Sequence, residues 1–195
     1  MAPPPAVRLP IPTTTTARRH EPRDTASAAG PRLPGAGAGM TARRLGPRDD
    51  ALWQALWDRA RAEAPAAFAS ARETGAMAWR RDTARAFVWE EEGQPLATGL
   101  WCRDEDPGRP DRGWVEAVYV LPAARGRRIA DRLLAALASD AAGSGMAELW
   151  LEVGRNNTAA QRAYARAGFG PAPEAAARRD EIALMRRLEP CAPAG

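Results

Sequence analysis

A chain of 195 residues with 45% apolar side chains and seven tryptophans can build one domain with a real core and is too short for two large ones. No apolar run approaches the roughly 18 to 20 residues needed to cross a bilayer, so a soluble protein of the reducing cytoplasm is expected, with no membrane partner. The net charge of +4 is modest, so the placement of charge matters more than its total. All 28 basic residues are arginine, each permanently charged and able to make forked contacts. The two cysteines, Cys102 and Cys191, outline neither a disulfide framework nor a metal site, and no metal is expected. The single histidine, His20, falls in a Pro/Thr/Arg stretch that does not read as folded. Triad hydrolysis and imidazole base catalysis are therefore not expected, and proton transfer falls to carboxylate, tyrosine, cysteine or water.

Residues 1–39 are dense in Pro, Thr, Gly and Ala, too poor in large apolar groups to offset ordering entropy, and are expected to be disordered. Met40 opens the first structured segment and is read as a true or alternative start. The working domain is expected over 40–189, with 190–195 a disordered tail. "TARRL" reads as a short strand, and "DDALWQALWDRARAEA" as an amphipathic helix with Leu52, Trp53, Leu56, Trp57 and Ala60 at helical spacing. "PAAFASARETGAM" reads as a second, broken helical piece. "ARAFVWEEEGQPLATGLWCR" reads as a hairpin turning at Gly93. After the loop "DEDPGRPDRG" comes "WVEAVYVL", the best strand in the chain. "GRRIADRLLAALASDAAGSG" is a helix with Ile129, Leu133, Leu134 and Leu137 on one face, and "MAELWLEV" another strand. "NTAAQRAYARAGF" is a helix with an Asn cap, and "DEIALMRRL" the last strand, with one short strand around Phe169 before it. This order gives an α/β domain with a mixed sheet.

One step in this layout carries chemistry. The strand "VYVLPAA" runs into "RGRRIA", which opens a helix, so unpaired backbone N–H groups and the positive end of a helix dipole point out of the loop. Gly126 and Ala130 keep bulk low there, while Arg125, Arg127 and Arg128 add charge and bidentate donors, which suits a phosphate or pyrophosphate. The other reading is an arginine-rich first turn that merely meets solvent. Neither G-x-x-x-x-G-K-[ST] nor G-x-G-x-x-G is present.

"YVLPAARGRRIADRLL", followed after a strand by "LEVGRNNTAAQRAYARAGF", resembles the core of the GNAT superfamily of acyl-CoA-dependent N-acyltransferases. Arg125 and Ala130 fit that family's acyl-CoA loop, and Arg128 stands where its pattern has the first glycine. Asn157, Ala160, Tyr164, Gly168 and Phe169 fit the second motif. The resemblance is strong over 114–169 and implies a mostly antiparallel sheet with a splayed parallel strand pair, helices on both faces, and acetyl-CoA as cosubstrate. It implies that the loop Arg125, Gly126, Arg127, Arg128, Ile129 and Ala130 holds the pyrophosphate and that backbone of Val118 and Val120 meets the pantetheine arm. Ordinary buried strand residues would fit those two valines as well. Asn157 is implied at the pantetheine, although a helix cap alone explains it. Tyr164 is implied as the acid that protonates the departing thiolate; the alternative is a core aromatic. Strand alternation puts Glu116 on one face with Trp114, Val118 and Val120, where it is a base through water, a holder of a cationic acceptor, or a salt-bridged surface carboxylate.

The resemblance thus implies transfer of an acetyl group to a primary amine of a small molecule or peptide by direct attack, since Cys102 has no visible activating partner for a covalent route. Two other readings stand beside it: a catalytically silent acyl-CoA-binding sensor, and, ranked last, a nucleic-acid binder. A homodimer is left open. Acidic clusters at Glu90, Glu91 and Glu92, and at Asp104, Glu105, Asp106 and Asp111, either attract a cationic acceptor or are solvated turns. Trp53, Trp57, Trp79 and Trp101 line an acceptor pocket or, more in keeping with their type, the core.

Overall fold

The computed structural model of the chain describes residues 40–65, 84–173 and 180–189. The N-terminal arm with His20, the broken helical piece, Trp79 and the C-terminal tail with Cys191 lie outside the described residues. In chain order come β1 (Met40–Arg44), α1 (Asp50–Glu63), β2 (Ala84–Glu91), β3 (Gln94–Arg103), β4 (Arg112–Val120), α2 (Ile129–Gly143), β5 (Glu148–Gly154), α3 (Thr158–Arg166), β6 (Gly170–Pro171) and β7 (Glu181–Arg187). The strands form one sheet in the order β1-β2-β3-β4-β5-β7-β6, antiparallel throughout except for the pair β4–β5.

Local chemistry accounts for the turns that set this topology. Between β2 and β3, Glu92 and Gly93 both take positive φ, 50° and 78°, and Glu91 pairs with Gln94. Two left-handed residues make the tight turn whose twist matches that of the flanking strands. The alternating apolar residues of the sheet then face two layers. Trp53 and Leu56 of α1 cover Leu45, Ala86, Val88 and Leu100 on one face, and Trp53 stacks on Trp57 with ring centroids 6.4 Å apart. On the other face Ile129, Leu133, Leu134, Leu137 and Ala141 of α2 pack on Trp101, Val115, Leu149 and Leu151, with Ala160 and Tyr164 of α3 against the same core. Trp53, Trp57 and Trp101 are thus core residues, each no more than 2% exposed.

Two irregularities in β4 interrupt the regular sheet. Its parallel ladder with β5 comprises only Arg112↔Glu148, Gly113↔Leu149 and Trp114↔Trp150. At this joined end a Cβ on Gly113 would lie 2.9 Å from Cδ2 of Leu149 and 3.3 Å from the Cys102 carbonyl oxygen, so any larger residue must push the Leu149 side chain aside. The Arg112 guanidinium sits 5.8 Å from the Trp114 ring centroid and 5.1 Å from that of Trp150, and is ion-paired with Asp104. Asp104 also accepts from Trp114 Nε1 at 2.8 Å. The second irregularity is a bulge. Leu100 pairs with Glu116 but Thr98 pairs with Tyr119, so β4 holds one extra residue, and Ala117 inside it takes φ 55°.

Candidate active site

Beyond Trp114 and Trp150 the two parallel strands part, and β4 has no ladder partner on that side. The amide of Leu121 donates to Leu96 O of β3 at 2.9 Å. By strand alternation the backbone groups of Val120, and of Val118 two residues earlier, point the other way, into the gap. The Val118 side chain meanwhile lies with Leu133 and Leu137 around Gly99 on the α2 face. The two valine side chains are thus partly buried against the α2-side core, with their backbone turned toward the opening.

The bulge corrects the expected placement of Glu116. With Ala117 inserted, alternation slips by one residue: Ala117 packs with the α1-side cluster, and Val118 and Val120 with the α2-side cluster. Glu116 shares the α1 side with Cys102, whose Sγ lies 3.8 Å from Oε1 of the carboxylate. It therefore shares a face with Trp114 but not with Val118 and Val120, because uniform period two does not survive an extra residue.

At the far end of the gap the chain passes through a short 3-10 turn, Pro122–Ala124, and enters the arginine loop. Gly126 takes φ 77° and Arg128 φ 58°, ψ 26°. Arg128 is the N-cap of α2, and its side chain makes no capping bond, so the first amides of the helix are not covered by a cap. Its backbone explains why a glycine suits this position: a left-handed residue with a Cβ is strained. The Arg128 side chain is 73% exposed and stands 3.9 Å from Asp131. Arg128→Gly is expected to raise stability by about 0.5 to 1 kcal/mol, relief of the left-handed strain outweighing the added freedom of the unfolded chain, and the midpoint of urea unfolding measures it.

The other loop arginines also meet carboxylates. Arg127 pairs with Glu91 at the hairpin. Arg125 donates through Nε to Val120 O at 3.1 Å and pairs with Glu63, the last residue of α1. Ile129 is buried and anchors the helix start in the core, while Ala130 is half-buried. Three of the acidic positions expected either to attract an acceptor or to be solvated, Glu90, Glu91 and Asp104, are engaged in ion pairs of the fold, Glu90 with Arg43.

Asn157 caps α3, its Oδ1 accepting from the Ala160 amide at 3.1 Å. Tyr164 is half-buried against the α2-side core, edge-on to Phe169 with centroids 6.0 Å apart. Desolvation pushes its phenol up to about 12. Sequence reading missed Tyr119, the chain's other tyrosine, whose hydroxyl donates to Glu63 Oε2 at 2.9 Å. Burial, then the Glu63 carboxylate, raise this phenol, whereas Arg125, then Tyr119, lower Glu63. The only sequence signal for this pair was parity along β4, which the bulge conceals.

A sheet split along its one parallel pair, with an uncapped, arginine-rich helix start at the open end, defines the GNAT type of α/β fold. The model of the acetyltransferase (GNAT) family matches residues 50–169, and the chain belongs to that family. Among solved structures it is similar to yncA of Salmonella typhimurium, assigned as an acetyltransferase and holding its cofactor acetyl-CoA, at 20% identity and TM-score 0.63 over 79% of this chain and 96% of that one. It is similar to the ribosomal-protein-alanine N-acetyltransferase of Brucella melitensis at 21% identity and TM-score 0.62, covering 76% and 99%. AAC(6')-Ib in complex with paromomycin and acetyl-CoA matches at 13% identity and TM-score 0.61, covering 76% and 93%. At these identities the likeness is one of fold. No curated protein matches the chain significantly. Among the described residues no helix is long and apolar enough to cross a membrane.

Proposed function

We propose that the chain transfers an acetyl group from acetyl-CoA to a primary amine of a small molecule or peptide by direct attack. The observation that carries this reading is the coincidence of the two openings: gap-facing backbone at Val118 and Val120 ends at the uncapped N-terminus of α2. An extended amide-bearing arm with a pyrophosphate beyond it fits that pairing of unladdered strand and helix start. Val118, Val120 and Asn157 would hold the arm, and the segment Arg125, Gly126, Arg127, Arg128, Ile129 and Ala130 the phosphates.

When bound, acetyl-CoA supplies an acetyl thioester. The residues of the chain do the rest. Tyr164, neutral at any working pH because desolvation holds its phenol near 12, offers a proton to the sulfur as the carbon–sulfur bond breaks. Glu116, on the α1 side of β4, takes the proton of the attacking ammonium through a water or holds the cation in place. One of the similar structures is named for ribosomal-protein alanine and another holds paromomycin with acetyl-CoA, which supports an amine acceptor while leaving its identity to a screen. That screen measures thiol release from acetyl-CoA with amines, aminoglycosides and peptides. Release with at least one amine is expected; coenzyme binding with no release across the panel would instead favour a silent acyl-CoA-binding module.

A further inference from the structure

One carboxylate ties the phosphate loop to two other elements. Glu63, at the end of α1, pairs through Oε1 with Arg125 and accepts through Oε2 from the Tyr119 hydroxyl of β4 at 2.9 Å. Arg125 in turn keeps its Nε on the Val120 carbonyl at 3.1 Å. The guanidinium thus folds back along the strand it has just left, toward the face that α1 covers. The loop beyond it holds two left-handed residues, Gly126 and Arg128, within three positions. Such a loop is short but not self-determined: without a tether it has other conformations, and ordering it would be charged against ligand binding.

We propose that Glu63 is a positioning residue for coenzyme binding: by holding Arg125 on the Val120 carbonyl it fixes the direction in which the loop leaves β4, and so the aim of the amides that open α2. The inference rests on the proposed coenzyme site. In it Arg125 works as a strut of the loop rather than as a free cation at its mouth, and Tyr119 keeps the carboxylate from swinging out to solvent.

The test is calorimetric titration of the full chain with coenzyme A itself, which needs no acceptor and no turnover. Glu63→Gln keeps an oxygen for the Tyr119 hydroxyl but removes the charge facing Arg125, and is expected to weaken binding about fivefold, the scale of one partly exposed ion pair. Glu63→Asp restores part of the loss. Arg125→Gln also weakens binding, and in that background Glu63→Gln adds nothing, because no guanidinium remains to be held. Unchanged or tighter binding in Glu63→Gln, or losses that simply add in the double variant, overturns the proposal. Should Glu63→Gln fail to fold by circular dichroism, Tyr119→Phe takes its place in the same cycle, with a smaller expected loss that again vanishes beside Arg125→Gln, and additive losses again overturn the proposal. No binding of coenzyme A by the unsubstituted chain overturns the coenzyme-site reading itself, and this inference with it; binding by that chain separates the two failures.

Discussion

Tyr164→Phe is expected to lower kcat for acetyl transfer about 10²- to 10³-fold, the usual contribution of one positioned proton donor, with the KM for acetyl-CoA little changed. The ring stays, and with it the edge-on packing against Phe169; only the hydroxyl is lost. The measurement is a steady-state comparison with the best amine from the screen. A phenol held near 12 is a poor acid toward a thiolate whose conjugate acid lies near the ordinary thiol value of about 8.5, so in the proposed role it would contribute a strong hydrogen bond in the transition state rather than full transfer beforehand. Because the phenol does not ionise until about 12, kcat/KM is expected to show no falling limb from Tyr164 below pH 11. Stability carries the same sign. The folded chain holds the phenolic proton more tightly than the unfolded one, so this contribution is intact below pH 10 and lost as pH rises toward 12. The Phe variant lacks that alkaline loss.

Asp104→Ala is expected to destabilise the fold by about 3 kcal/mol, within the range for breaking a buried ion pair by removing one partner. The Asp104 side chain is 8% exposed and receives three donors: Arg112 Nε, Trp114 Nε1 at 2.8 Å and the Asp106 amide through its other oxygen at 3.0 Å. Its removal leaves the guanidinium and the indole N–H without their carboxylate. Burial opposes ionisation of Asp104, but hydrogen bonds from Asp106, Trp114 and Arg112, with the Arg112 charge, more than offset it and hold the carboxyl below its usual value. A depressed acid stabilises the fold above its unfolded value, about 3.8, and this contribution is lost as pH falls through the lower folded value. Urea midpoints at pH 7 and pH 3 check both statements: the variant should fall well below the wild type at pH 7, and the difference should shrink at pH 3.

Most elements were legible because their signals are local. Trp53, Leu56, Trp57 and Ala60 mark the buried face of α1 without reference to anything else, and Gly93 marks the hairpin turn. The mostly antiparallel sheet with one parallel pair follows from element order together with the family resemblance. What the sequence concealed is where strands depart from regularity. "WVEAVYVL" has no glycine or proline to announce a bulge, yet Ala117 adopts a left-handed backbone and moves Glu116 away from the face of Val118 and Val120. The loop arginines were legible as charge but not as partners, since Glu63 and Glu91 reach them from 62 and 36 positions away. Such pairs are set by the crossing of elements, and no spacing rule on one segment predicts them. Arg128 is the instructive case. Its departure from the glycine of the pattern was visible at once, whereas its meaning, a strained left-handed N-cap with the side chain turned to solvent, needed the backbone.

The three-residue seam between β4 and β5 also divides the sheet into two panels, with α2 packed across both. β1 to β4 form one panel and β5, β7 and β6 another, and the ladder between the two comprises Arg112, Gly113 and Trp114 with their partners. From Trp114 to the mouth at Val120 the strand, with its one bulged residue, advances roughly 16 Å at about 3.3 Å per residue. A rotation of a few degrees at the seam therefore changes the width of the mouth by an ångström or so, about the tolerance of a hydrogen bond.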